Sequence, residues 1–167
     1  MLLITKNDIS EHRQISRSVK EATINQFIED AQVIDLCPLL GEVFYFSIIS
    51  NPTTYGDLLN EYTYEHNGVI VTSPGIKKVL SLFAYARYIL HGSQTDTPFG
   101  YVEKQYQDGI QVSRSDRKEV YKSNQQTAML YWDKIKDFLN RNQTDFPLWK
   151  SNCSENRRKF RLNKITR

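Results

Sequence analysis

The sequence has few of the residues and patterns that mark specialised classes of protein. Only two cysteines occur among its 167 residues, and Cys37 and Cys153 form no CxxC motif, so neither a disulfide framework nor a zinc ribbon is supported. Seven glycines and five prolines argue against collagen-like or proline-rich linker character. No apolar run approaches the roughly 18 residues of a membrane-spanning helix, and residues 1–4 are too short for a signal peptide. We therefore expect a soluble protein made in the cytoplasm, with no membrane partner.

Motifs for catalysis and for nucleotide or metal binding are also missing. HExxH, GxSxG, GxGxxG and GxxxxGK[ST] do not occur. Three histidines are present, and they lie in separate segments: His12, His66 and His91. We expect a buried thiol at Cys37, because no base is placed to activate it. We interpret Glu29, Asp30 and Asp35 as a solvated helix face rather than metal ligands. The sequence therefore predicts no catalytic residue, no metal ion and no cofactor.

The charge is distributed unevenly along the chain. The net charge is +3, but the segment from Lys150 to Arg167 carries seven basic residues and one acid. That segment is therefore +6 and residues 1–149 are −3. We predict a helical domain over residues 1–149 and a basic C-terminal tail over residues 150–167. A tail of this kind can bind nucleic acid, and it can equally dock on an acidic protein surface.

Hydrophobic residues make up 40% of the chain and aromatic residues 12%, which is enough for one domain with a core. Apolar spacing of three and four predicts a first helix over about 21–36. The apolar run 43–49 is too short to separate helix from strand by its length alone, but its flanks favour a short second helix. Apolar spacing predicts a third helix over 75–90 and a fourth over 116–142. Ser73 is the predicted N-cap of the third helix. The fourth would be roughly 40 Å long, more than a small domain needs.

Two β-hairpins are predicted between these helices. Residues 61–64 and 69–72 are β-branched and aromatic, and they flank an Asn-Gly turn, the strongest local hairpin signal. Residues 101–106 and 110–112 flank Asp108-Gly109 in the same way. The predicted fold is mostly α: a helical bundle with a long C-terminal helix and one or two projecting β-hairpins.

Two groups of residues are candidates for contact with other molecules. The hairpins carry residues that either form intersubunit contacts or pack on the chain's own helices: Tyr62, Tyr64, Val69, Tyr101 and Tyr106. The tail mixes cations with apolar side chains, which favours docking on an acidic partner protein over simple solvation or direct DNA contact. Its candidate docking residues are Arg157, Arg158, Lys159, Phe160, Arg161, Leu162, Lys164 and Arg167.

Three stretches together resemble a known family. They are residues 28–32 running to 37–41, residues 75–79 running through 83–88, and Thr97-Pro98-Phe99-Gly100. The arrangement is similar to small proteins encoded by tailed phages and prophages of gut bacteria, including crAss-like phages, and to head–tail connector (ring or adaptor) proteins. The resemblance covers roughly residues 20–110, so the long helix and the tail lie outside it.

This resemblance implies a virion structural protein. Such a subunit would form a homo-oligomeric ring, commonly of twelve copies, beneath the portal protein at the head–tail junction. It would extend the DNA channel without sequence-specific DNA contact and offer a platform for other connector or tail proteins. The alternative that the residues leave open is a small DNA-binding accessory protein that uses the basic tail.

Overall fold

The protein is mostly helical, with a long C-terminal helix and an antiparallel two-stranded hairpin. The computed structural model describes residues 1–92, 94–98, 100–103 and 112–150, and only the backbone of residues 94–97 and 100–103. The helices of these residues are α1 (Lys6–His12), α2 (Glu21–Asp30), α3 (Cys37–Leu40), α4 (Glu42–Ser50), α5 (Gly56–Leu59), α6 (Ile76–His91) and α7 (Arg114–Arg141). The strands are β1 (Tyr62–His66), β2 (Val69–Ser73), β3 (Gln94–Thr97) and β4 (Gly100–Glu103).

A π-helical turn, Ala31–Leu36, joins α2 to α3 and makes the first predicted helix longer than expected. The backbone N–H of Cys37 donates to the carbonyl of Gln32, five residues back, which is the π-helical pattern. In an α-helix a proline ring clashes with the carbonyl four residues before it. The wider turn just before Pro38 gives that ring room. The helical path therefore continues past Pro38 and stops at Gly41, whose φ is 81°.

The hairpin predicted around Asn67-Gly68 is confirmed. β1 and β2 are antiparallel, with Tyr62 opposite Ser73 and His66 opposite Val69. Asn67 and Gly68 have φ values of 53° and 75°, as a tight two-residue hairpin turn requires.

Helix α6 is the centre of the fold. It packs against α1, α2, α5 and α7, and its buried residues include Val79, Leu80, Phe83 and Ala84. The predicted N-cap is wrong. Ser73 is the last residue of β2, and Gly75 is the N-cap with a φ of 75°. A Cβ at position 75 would collide with the backbone of Asn60, so only glycine fits this close approach.

The second two-stranded ribbon differs from the prediction. β4 pairs with β3, the strand before it, so that Thr97 lies opposite Gly100. The prediction paired residues 101–106 with 110–112 instead. Residues 104–111, including Asp108-Gly109, lie outside the described residues, and Val112 is not in a strand. Two of the four residues of β3 are threonines, which are β-branched and suit a strand.

Helix α7 has 28 residues and a length of about 42 Å at 1.5 Å per residue. It begins at a capping residue, Ser113, whose Oγ accepts a hydrogen bond from the backbone N–H of Asp116 at 3.1 Å. Its buried residues run along the whole helix: Arg117, Asn124, Ala128, Trp132, Ile135, Phe138 and Leu139. α7 thus packs on this chain's own helices, chiefly α6, over most of its length.

The residues after α7 return to the core. Phe146 and Trp149 are 8% and 6% exposed. Their rings lie 6.3 Å from that of Phe44 on α4, and Trp149 lies 6.0 Å from Trp132 on α7. An aromatic cluster thereby fixes the end of the described chain against α4.

Candidate interaction surfaces

The base of the β1–β2 hairpin is held against α7. The ring centroids of Tyr64 and Tyr62 lie 4.9 Å and 6.0 Å from that of Phe138. Arg141 Nη1 also donates a hydrogen bond of 3.0 Å to the hydroxyl of Tyr64. Both tyrosines are candidate intersubunit residues, and both make contacts within their own chain. Tyr62 keeps 37% of its surface exposed.

The tip of the hairpin is where apolar side chains remain uncovered. Val69 is 60% exposed and Ile70 is 75% exposed. They lie opposite His66 and Glu65, so their side chains point to alternate faces of the ribbon. Val69 is one of the predicted intersubunit residues. Ile70 is a stronger candidate that the aromatic pattern did not single out.

Helix α4 has a second uncovered apolar surface. Its run from Val43 to Ile49 is apolar or aromatic apart from Ser47, and helices without a polar face are normally covered all round. Phe44, Tyr45 and Ile48 are buried, but Val43 is 71% and Phe46 55% exposed. Sequence reasoning found the helix and missed this surface, although the absence of a polar face was the available signal.

A groove lies where α3, α4 and the end of the described chain meet. Its volume is about 250 Å³, and its apolar lining includes Leu40, Val43, Pro147 and Leu148. Its charged lining residues are Glu42 and Lys150. Lys150 is also the residue from which the basic tail continues. We call this cavity the tail-exit groove.

An ion pair ties the π-helical turn to α6. Arg87 Nε and Nη2 donate to the two carboxylate oxygens of Asp35 at 2.7 Å and 3.0 Å. The Asp35 hydrogen bond raises the pKa of Arg87 above its ordinary value. The interpretation of Asp35 as part of a solvated face is therefore wrong, whereas Glu29 and Asp30 are exposed.

The remaining titratable groups of interest have shifted pKa values with local causes. Burial, followed by the positive charge of Lys78, lowers the pKa of His12. Burial, followed by the charge of Glu42, raises the pKa of Cys37, which keeps it a thiol at neutral pH and disfavours a nucleophilic role. Burial alone would raise the pKa of Asp8. Its carboxylate also accepts hydrogen bonds from the side chain and the backbone N–H of Thr5, and these lower the pKa below its ordinary value.

The described residues contain neither a metal-binding cluster nor a membrane-spanning helix. No three His, Cys, Asp or Glu side chains there are grouped so that they could hold a metal ion. No helix among them is long and apolar enough to cross a membrane.

Several candidate residues cannot be placed. The backbone of Tyr101 lies on β4 opposite Asp96, and its side chain is not described. Tyr106 lies outside the described residues. The same holds for the candidate docking residues of the tail: Arg157, Arg158, Lys159, Phe160, Arg161, Leu162, Lys164 and Arg167.

One protein-family model matches residues 36–159, well over half of the chain. The chain belongs to the DUF6712 family. This family is described as one of unknown function. The part shared with the DUF6712 family begins at the end of the π-helical turn, includes α3 to α7, and extends into the basic tail as far as Lys159. No curated protein and no solved structure matches the chain.

Proposed function

We propose that this DUF6712 protein is a virion structural protein, a subunit of the head–tail connector of a tailed phage. In this proposal it forms a closed homo-oligomeric ring beneath the portal protein, with the roughly twelve copies that the resemblance to head–tail connectors implies. The ring extends the DNA channel and supports other connector or tail proteins. The function is binding, and no catalytic step, metal or cofactor is part of it.

The observation that carries the proposal is the distribution of exposed apolar side chains. Val69 and Ile70 project at the hairpin tip, and Val43 and Phe46 are uncovered on α4. Leu130 on α7 is a further case, at 69% exposed. In the proposal these exposed apolar side chains become buried against other subunits, as apolar surface at protein contacts commonly is. A closed ring needs two different surfaces on each subunit, one for each neighbour, and uncovered surfaces at separate elements meet that need.

The charge of the chain also fits a channel subunit. Residues 1–149 carry a net charge of −3, which disfavours tight binding to the DNA that must pass through a connector. In the proposal the hairpins project toward neighbouring subunits. The basic tail docks on the portal protein or an adjacent ring, with Phe160 and Leu162 as apolar anchors.

Co-purification with the portal protein of the same genome tests this function. The full chain is expected to co-purify with the portal and to show rings with a central opening in negative-stain images. A chain that ends at Lys150 keeps every core residue of the described part, Trp149 included, so we expect it to stay folded and to lose binding to the portal. Co-purification of the truncated chain at the full level would contradict the tail's role. The absence of rings and of portal binding would contradict the function.

The basic tail supports a second candidate, a small DNA-binding accessory protein. Six of the residues from 151 to 167 are Lys or Arg, a density suited to phosphate contacts. A salt titration against duplex DNA separates the two functions. Strong binding that falls steeply with salt favours the accessory protein, and weak binding at physiological salt favours the connector.

A further inference from the structure

We propose that the tail-exit groove is the docking site of the chain's own basic tail, with Phe160 and Leu162 as the inserted side chains. This intrachain contact goes beyond the connector function and does not require a ring. It would cover the anchors of the tail in the free subunit, so that a partner must compete for them.

The groove itself is the first argument. Its apolar lining residues Val43 and Leu148 are 71% and 41% exposed, so the described chain leaves it open. Both residues are next to residues that are packed in the core. Val43 follows the start of α4, and Leu148 lies between the buried residues Phe146 and Trp149. A preformed apolar cavity of about 250 Å³ on rigid supports costs little reorganisation to fill.

The length and starting point of the tail are the second argument. Seventeen residues follow Lys150, and Lys150 itself lines the groove. Phe160 is ten positions after Lys150, and a segment of that length reaches up to roughly 35 Å, far more than the return to the groove needs. A short tether of this kind gives an effective concentration on the order of millimolar, which favours the chain's own tail over one from another molecule.

The pattern of the tail is the third argument. Phe160 and Leu162 are two positions apart, so in an extended segment both side chains point to one side and Arg161 points to the other. Glu42 in the groove lining provides a negative charge for the basic residues next to Phe160. The positive charge of Lys150 in the same lining partly offsets it. Two apolar surfaces of one molecule would cover each other, which removes both from water.

Photocrosslinking within the full chain tests the proposal. The photoreactive residue p-benzoylphenylalanine replaces Phe160, which preserves an aromatic ring at the anchor position. Irradiation of the dilute protein followed by peptide mass spectrometry maps the site reached. We expect intrachain crosslinks to residues 40–44 or 147–148. Crosslinks only elsewhere, crosslinks only between chains, or none would overturn the proposal.

Two matched variants make the test specific. Val43→Asp places a charge in the groove, and Val69→Asp places the same charge at a similarly exposed valine of the hairpin. We expect Val43→Asp to lower the yield of intrachain crosslinks about tenfold, since an unpaired carboxylate disfavours apolar docking, and Val69→Asp to leave it unchanged. Equal loss in both variants would overturn the proposal. Circular dichroism checks that each variant is folded. Intact intrachain crosslinks in an unaltered chain that forms no rings would overturn the connector function alone.

Discussion

The ion pair between Asp35 and Arg87 should contribute measurably to stability, because it fixes the π-helical turn to the central helix. Its geometry is bidentate, with distances of 2.7 Å and 3.0 Å, the strongest arrangement for a carboxylate and a guanidinium. A double-mutant cycle measures the coupling energy between the two residues. It compares Asp35→Asn, Arg87→Gln and the variant that carries both substitutions.

The expected magnitude follows from the burial of the two side chains. Breaking a fully buried pair costs about 3–5 kcal/mol, whereas an exposed pair contributes about 0.2–1 kcal/mol. The side chains of Arg87 and Asp35 are 16% and 13% exposed, which places this pair between the two limits. We expect Asp35→Asn to lower the free energy of unfolding by about 2 kcal/mol and the melting temperature by roughly 4–8 °C. The coupling energy should be about 1–2 kcal/mol.

Urea denaturation followed by far-ultraviolet circular dichroism measures each free energy of unfolding. Glu29→Gln is the matched control, because it removes an exposed carboxylate from the same helical segment and should cost less than about 0.5 kcal/mol. A coupling energy below about 0.5 kcal/mol, or equal effects of Asp35→Asn and Glu29→Gln, would refute the structural role of the pair.

Three further predictions concern single residues. Phe44→Ala should destabilise the protein by about 3–5 kcal/mol in urea, because Phe44 is 1% exposed within the aromatic cluster, and a loss below about 1 kcal/mol would contradict that packing. Gly75→Ala should lower the melting temperature well below that of Gly56→Ala, since only position 75 combines a positive φ with a collision against backbone; equal melting temperatures would count against it. The lowered pKa of His12 means that the unfolded chain binds more protons just below pH 6.5. Stability should therefore decrease as the pH falls through this range, and His12→Gln should flatten this part of the profile. An unchanged profile would contradict the prediction.

Local signals explain the parts of the fold that could be predicted. The hairpin is encoded by Asn67-Gly68, whose backbone must take positive φ values, and its flanking β-branched residues. Helix α7 is encoded by regular apolar spacing without an interrupting glycine or proline. Both signals depend on neighbouring residues alone, so they do not need knowledge of the tertiary structure.

The π-helical turn depends on contacts that are distant in sequence. Leu3 donates its backbone N–H to Gln32 Oε1 at 2.6 Å, and Gln32 Nε2 lies 3.5 Å from the hydroxyl of Tyr45. With the pair of Asp35 and Arg87, these contacts hold the turn from three separate elements. No local pattern contains that information, which is why the sequence predicted a helix that ends at about residue 36.

The candidate surfaces were predictable only in part. The composition of the hairpin indicated a surface for contacts, but it did not show that Tyr64 packs on Phe138 while Ile70 stays exposed. The tail-exit groove depends on how the segment after α7 returns to α4. That return rests on rings that are about 100 residues apart in sequence, such as Phe44 and Phe146.

The mass of the full chain in solution tests the central claim most directly. Light scattering after size exclusion should give a closed oligomer of the 19.6 kDa subunit, roughly 235 kDa for about twelve copies. Ile70→Lys at the hairpin tip should lower that mass, and Thr63→Lys on the same exposed ribbon should not. A monomer of 19.6 kDa at every concentration would contradict the claim that these apolar surfaces are contacts between copies.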